Sequence, residues 1–100
     1  MKGIKAENRV ANSLRRSGAK VDQSPGSRGS ADVIANWSTG KEWLVQVKYS
    51  GTGAPAGLTP RETKNLTLRA ERNNATPVIA KVTPDKIDYM SVKSGRKLKP

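Results

Sequence analysis

The chain has 100 residues, with 19 Lys and Arg against eight Asp and Glu and a formal net charge of +11. That length allows one domain with a thin core, and the charge directs it towards polyanions, because neutralising phosphates releases their counterions. There is no Cys and no His, which excludes disulfide staples, zinc sites and Cys or His nucleophiles, so any metal must sit on oxygen, as Mg²⁺ or Mn²⁺ does. No segment approaches the roughly 18 apolar residues of a membrane span, and no apolar leader is visible. A cytoplasmic protein is expected, whether a cell or a virus encodes it.

From Gly3 to Ser17 the apolar residues Ile4, Val10, Ala11 and Leu14 recur at helical spacing, with Lys5, Arg9, Asn12 and Arg16 opposite. The pattern predicts an amphipathic helix that Gly18 ends in a left-handed cap. A short strand is expected at Lys20–Gln23, then a loop dense in turn residues, 24–30 (Ser-Pro-Gly-Ser-Arg-Gly-Ser). Residues 31–37 and 42–49 read as a hairpin joined through Ser38–Lys41. After a Gly-rich loop, 50–57, Thr59 with Glu62 three positions on is a capping box and Pro60 suits the first helical position, so a second helix should run to Asn73. Residues 77–83 and 86–92 give a final strand pair turning at Pro84-Asp85. The expected order is α-β-β-β-α-β-β within one domain, residues 1–92, followed by a basic tail, 93–100, without fixed structure.

Two features break the apolar pattern. With Glu7 at 0° on a wheel of about 100° per residue, Leu14 falls at about −20°, Ala11 at about +40°, Ile4 at about +60° and Val10 at about −60°. Glu7 therefore sits at the centre of the apolar stripe, where a carboxylate needs a cation, a hydrogen-bond network or a metal; a structural Lys or a snorkelling Glu would satisfy the same pattern. In the hairpin, Leu44, Gln46 and Lys48 share one face, and Trp43, Val45, Val47 and Tyr49 the other. If Trp37 lies opposite Glu42, Asp32 faces Val47; if opposite Trp43, it faces Lys48. Only the second register, or one shifted from it by two residues, sets Asp32 beside Gln46 and Lys48.

Glu7, Asp32 and Lys48 are the residue types that phosphodiester hydrolysis requires: carboxylates for a divalent cation and a cation for the developing charge. Gln46 would add an amide oxygen, and the Val47 carbonyl another only if the strand end turns it inward. The Ser/Gly-rich loop before Asp32 could approach a nucleic-acid backbone closely, with Arg28 on phosphate. Trp37 and Trp43, at strand positions with apolar neighbours, read as core or subunit-contact residues rather than base-stacking ones. Leu68 falls off the apolar side of the second helix and is a candidate subunit contact.

These residues carry a family resemblance: Lys-Gly-x-x-Ala-Glu7, then Ser24-Pro-Gly-Ser-Arg-Gly-Ser-Ala-Asp32-Val-Ile-Ala, then Leu44-Val-Gln-Val-Lys48. The chain resembles, over residues 2–83, the archaeal-type Holliday junction resolvases and their phage and bacterial relatives in the PD-(D/E)xK nuclease superfamily. The resemblance implies a restriction-endonuclease-like α/β core, a mixed central sheet flanked by helices. It also implies a homodimer that cuts four-way DNA junctions symmetrically with Mg²⁺, in DNA recombination and repair. Its catalytic residues fall on Glu7, Asp32, Gln46 and Lys48, with assistance from Ser24 or Ser27; the metal is expected on Glu7, Asp32 and Gln46, with the Val47 carbonyl as the further oxygen named above. Gln46 stands where most archaeal members carry Glu. Asn8 and Gln23 stand where basic residues are often found, so phosphate contacts fall to Arg9, Arg15, Arg28, Arg61, Lys64 and Arg69. Two other readings fit the same residues: a less selective DNA or RNA nuclease, and a nucleic-acid-binding module of this fold without catalysis.

Overall fold

The computed structural model describes residues 2–23 and 31–100, with side chains from residue 5 onward. Among them run α1 (Lys2–Arg16), β1 (Lys20–Gln23), β2 (Val33–Asn36), β3 (Glu42–Tyr49), α2 (Pro60–Arg72), β4 (Thr76–Val82), β5 (Ile87–Ser91) and β6 (Lys97–Leu98). The strands form one mixed sheet in the order β1-β2-β3-β4-β5-β6. Only β3 and β4 pair in parallel; the other neighbours are antiparallel. The parallel pair is the one joined through a helix, because α2 carries the chain back to the start of the next strand.

Both helix ends follow from local chemistry. At the end of α1, Gly18 takes φ 98°, its N–H donates to the Arg15 carbonyl at 3.0 Å and the Ala19 N–H to the Leu14 carbonyl at 3.2 Å. This is the predicted glycine stop, and buried Leu14 and Ala19 add its usual apolar contact. At the start of α2 the capping box is closed: the Glu62 N–H donates to Thr59 Oγ1 at 3.1 Å and the Thr59 N–H to Glu62 Oε1 at 2.9 Å. Asn74, with φ 52°, ends α2 in the same left-handed way.

The two helices lie on opposite faces of the sheet. Val10 and Leu14 of α1 pack with Val33, Ala35, Trp43, Val45, Val78, Ala80 and Tyr89, while Leu66 and Ala70 of α2 pack with Ala31 and Leu44. The alternation along β3 is thereby fixed: Trp43 and Val45 under α1, Leu44 under α2. Trp43 is 3% exposed and meets Trp37 edge-on at 5.0 Å and Tyr89 at 5.6 Å. Trp43 is a core residue and half-buried Trp37 packs against that core, with Lys41 Nζ 4.3 Å above the Trp37 ring.

The last eight residues depart from expectation. Instead of an unstructured tail they carry β6, which pairs Leu98 with Tyr89 and Lys97 with Met90. Ser91 N–H to the Arg96 carbonyl at 2.8 Å and Gly95 N–H to the Ser91 carbonyl at 2.8 Å form the turn, with Gly95 at φ 72°. Leu98 packs against the α1-side core, an apolar anchor that the surrounding lysines hide in sequence.

Candidate active site

The β2–β3 turn fixes where Asp32 falls. The Trp37 N–H donates to the Lys41 carbonyl at 2.9 Å and the Gly40 N–H to the Trp37 carbonyl at 3.0 Å, with Gly40 at φ 95°. This is a three-residue connection whose last position needs the left-handed region. Val33 then pairs with Val45, two residues away from the second register considered. One residue before β2, the Asp32 N–H donates to the Val45 carbonyl at 2.9 Å and Asp32 Oδ2 accepts the Val47 N–H at 2.9 Å. Asp32 is thus held against the stretch of β3 that carries Gln46 and Lys48. The N–H and C=O of one strand residue point towards the same edge, so the Val47 carbonyl also faces the Asp32 side.

Asp32 is only 8% exposed. Burial pushes its carboxyl up; the Val47 N–H and the Lys48 ammonium oppose this, and Glu62 adds to it. Glu7 is half-buried, not at the floor of the core as the helical wheel implied. The fully buried stripe of α1 is Ala6, Val10, Ala11 and Leu14; Glu7 lies within the arc of that stripe but towards the N-terminal half of the helix, where it is only half covered. Burial raises the Glu7 carboxyl, and the charge of Asp32 raises it further.

The site occupies one end of the sheet. Trp37 Nε1 donates to Ser17 Oγ at 3.2 Å, which places the β2–β3 turn beside the C-terminal end of α1. Glu7 is near the other end of α1, with Asp32 before β2 and Lys48 late in β3. Gln46 is half-buried on β3 and shares the α2 side of the strand with Leu44 and Lys48. Lys48 Nζ lies 3.0 Å and 2.8 Å from the two oxygens of Glu62, and this ion pair holds the Glu62 carboxyl below its ordinary range. Sequence reasoning gave Glu62 a capping role alone. The available signal was its position in the first turn of the helix that follows the Lys48 strand.

The predicted phosphate-contact residues divide. Arg9 donates from Nη1 to the Thr83 carbonyl at 2.6 Å, which spends one end of its guanidinium at the close of β4. Arg15 lies about 12 Å further along α1 than Glu7 at 1.5 Å per residue and donates to Asn12 at 3.2 Å. Arg61 and Lys64 are exposed beside Glu62 at the start of α2, and Arg69 is half-buried later in it. Asn8 and Gln23 hydrogen-bond each other at 2.8 Å. Ser24, Ser27 and Arg28 lie outside the described residues. Leu68 is 44% exposed, as the helix pattern required.

No family model matches the chain, and no curated protein matches it. Among solved structures it is similar to Archaeoglobus fulgidus Hjc, a Holliday junction resolvase from an archaeal hyperthermophile, with a TM-score of 0.82 at 19% identity, over 93% of this chain and 75% of that one. The chain has the fold of that resolvase. The expected restriction-endonuclease-like arrangement, a mixed sheet flanked by helices, is therefore observed, with β6 added to the predicted order. Among the described residues no helix is long and apolar enough to cross a membrane.

Among the described residues no group of three acidic side chains converges on one metal position. Glu7 and Asp32 are near enough that the charge of Asp32 raises the Glu7 carboxyl, and burial raises both. Two neighbouring carboxylates beside the edge of β3 towards which the Val47 carbonyl points suit Mg²⁺, which keeps several waters and needs one or two protein carboxylates.

Proposed function

We propose that this protein is a Mg²⁺-dependent endonuclease that resolves four-way DNA junctions by phosphodiester hydrolysis, Mn²⁺ substituting for Mg²⁺. The observation that carries the reading is Asp32, buried, clamped on the Val47 N–H and within electrostatic reach of Lys48 and Glu7, at the end of a sheet with a resolvase fold. Glu7 and Asp32 would hold the cation, with Gln46 and the Val47 carbonyl offering neutral oxygens. When bound, Mg²⁺ supplies charge for the phosphoryl oxygens and lowers the pKa of a water.

The chain's own residues do the rest. The Val47 N–H fixes the orientation of Asp32, so one carboxylate oxygen is committed to the backbone and the other, which accepts no hydrogen bond among the described residues, would ligate the cation. Lys48 presents an ammonium to the charge that develops on the phosphate. The +11 charge draws the DNA backbone in, and Arg61 and Lys64, with Arg9, Arg15, Arg28 and Arg69, contact its phosphates. Ser24 and Ser27, which precede Asp32 in sequence, assist at the same phosphate. Two symmetric cuts in one binding event require a homodimer, and the protein acts in DNA recombination and repair in the cytoplasm.

Incubation of the purified chain with a synthetic four-way junction and with linear duplex, in Mg²⁺ and in EDTA, tests this. Metal-dependent cutting of the junction is expected, and Lys48→Ala should slow it about 100-fold or more, the scale of losing one transition-state donor. Equal rates on junction and duplex would favour a less selective nuclease. The neutral Gln46 favours one further reading, a binding module without catalysis, which predicts salt-sensitive binding and no cutting of any DNA in Mg²⁺.

A further inference from the structure

The contact between Lys48 and Glu62 links the site to the start of α2. Nζ reaches both carboxylate oxygens, at 3.0 Å and 2.8 Å, and Oε1 also accepts the Thr59 N–H at 2.9 Å. The Glu62 backbone N–H is in turn held by Thr59 Oγ1 at 3.1 Å. A surface ion pair is ordinarily weak because two flexible side chains must both be immobilised. Here the capping box has already fixed one of them, so the ammonium meets an acceptor whose place the helix sets. The pair is partly screened, the side chains being 25% and 31% exposed, which leaves Lys48 open to an incoming phosphate. Position 46, two residues earlier on the same side of β3, carries a neutral amide. Among the described residues, the anions that act on Lys48 are Asp32, which is buried, and Glu62.

We propose that Glu62 is a positioning residue for Lys48: the capped first turn of α2 holds the ammonium at the Asp32 end of the sheet, ready for transfer to a DNA phosphate. The inference rests on the nuclease reading for its consequence, but the positioning itself is measurable without catalysis. On this reading Glu62 acts through Lys48, which its two oxygens hold, and the Mn²⁺ measurement below separates that role from metal ligation.

The full chain, Glu62→Gln and Glu62→Ala are compared in three measurements. The first is acetylation of Lys48 by an activated ester in EDTA, read by peptide mass spectrometry. The second is Mn²⁺ affinity by calorimetry, and the third is single-turnover cleavage of the four-way junction. Lys48 acetylation should rise at least threefold in Glu62→Ala, with a smaller rise in Glu62→Gln, which keeps one oxygen for the ammonium. Mn²⁺ affinity should stay within twofold of the parent, and cleavage should fall at least tenfold in Glu62→Ala. In a Lys48→Ala background, Glu62→Ala should have no further effect on the residual rate. Ala70→Gly, which weakens α2 at its other end, should leave cleavage within threefold. Unchanged Lys48 acetylation in both variants would overturn the proposal, and so would loss of Mn²⁺ affinity on the scale of Asp32→Asn. A parent chain that cuts no DNA but shows the acetylation rise would sink the nuclease reading and leave the positioning role standing.

Discussion

Replacing Asp32 by Asn should stabilise the metal-free protein while removing its response to Mg²⁺. Asp32 is 8% exposed, and burial is the largest influence on its carboxyl, followed by the Val47 N–H and Lys48, which favour the anion, and Glu62, which opposes it. Asn keeps an oxygen for the Val47 N–H, so a bond worth about 1 kcal/mol persists in neutral form. The cost of burying a charge, and repulsion with Glu7 and Glu62, disappear. Relieving such a function-bearing strain typically contributes about 0.5–2 kcal/mol, and for a chain of this length each 1 kcal/mol moves Tm by about 4–8 °C. A cation that binds only the folded state acts the other way, adding about 1.4 kcal/mol at ten times its Kd. Thermal unfolding followed by circular dichroism at pH 7 should therefore cross over: Asp32→Asn more stable in EDTA, the parent gaining on it as Mg²⁺ rises. The reasoning fails if the variant melts more than about 4 °C below the parent in EDTA, or if Mg²⁺ leaves the parent's Tm unchanged.

In EDTA, stability should rise as pH falls from 7, then decline. Glu7 and Asp32 are raised in the folded state from ordinary values of 4.5 and 3.8, so stability missing at neutral pH returns as pH falls through their folded values and is complete below those ordinary values. Glu62 is lowered from 4.5; its contribution is present above 4.5 and is lost as pH falls through its folded value. Urea midpoints between pH 7 and 3 would show this, with the rise absent from a Glu7→Gln/Asp32→Asn double variant; a monotonic decline from pH 7 would contradict it. Gln46→Glu should tighten Mg²⁺ binding about tenfold, the scale of one added charge-assisted contact of roughly 1.4 kcal/mol; unchanged affinity by calorimetry would place residue 46 outside the metal shell. Tyr89→Phe should be neutral or stabilising by up to about 1 kcal/mol, because the buried Tyr89 hydroxyl has no hydrogen-bond partner among the described residues. A loss above that size in urea unfolding would mean that the hydroxyl does bond, to Ser13 or Arg16 beside it.

The sequence was most legible where a local rule decides the outcome. Gly18, the Thr59–Glu62 box and Pro60 each act within one turn of helix, and α1, α2, β1 and β3 fall within a residue or so of where those signals put them. The hairpin register was less legible. Trp37 could close against Lys41, Glu42 or Trp43 by pattern alone, and the choice came from Gly40 adopting φ 95°, a conformation that presence in a loop does not itself announce. Glu7 shows a second limit. A wheel ranks residues around a helix but not along it, so it cannot tell a core position from one that meets the end of the sheet. Leu98 and β6 were hidden because one apolar residue among lysines carries no periodicity.

Glu62 was missed for a topological reason, and the same reason explains why the site can form from so few residues. Parallel strands must be joined by a crossover, and a helical crossover begins over the carboxyl end of the strand it leaves. Since β3 and β4 pair in parallel, the start of α2 is obliged to return near Lys48, the next-to-last residue of β3. The N-terminus of a helix favours negative charge through its exposed N–H groups and dipole, so a carboxylate in that first turn is stabilised by α2 before any partner arrives. Lys48 then finds an anion 14 residues away in sequence but adjacent in space, with no carboxylate at position 46. The antiparallel hairpin brings Asp32 to the same end from the other side of β3, and α1, running over the opposite face, brings Glu7 to its rim. Lengthening the 50–59 connection by several residues between Gly53 and Ala54 should leave the hairpin, Asp32 and Glu7 in place. If the capped helix start sets Lys48, that insertion should raise Lys48 acetylation as Glu62→Ala does; if Lys48 is set by β3 alone, acetylation should not change.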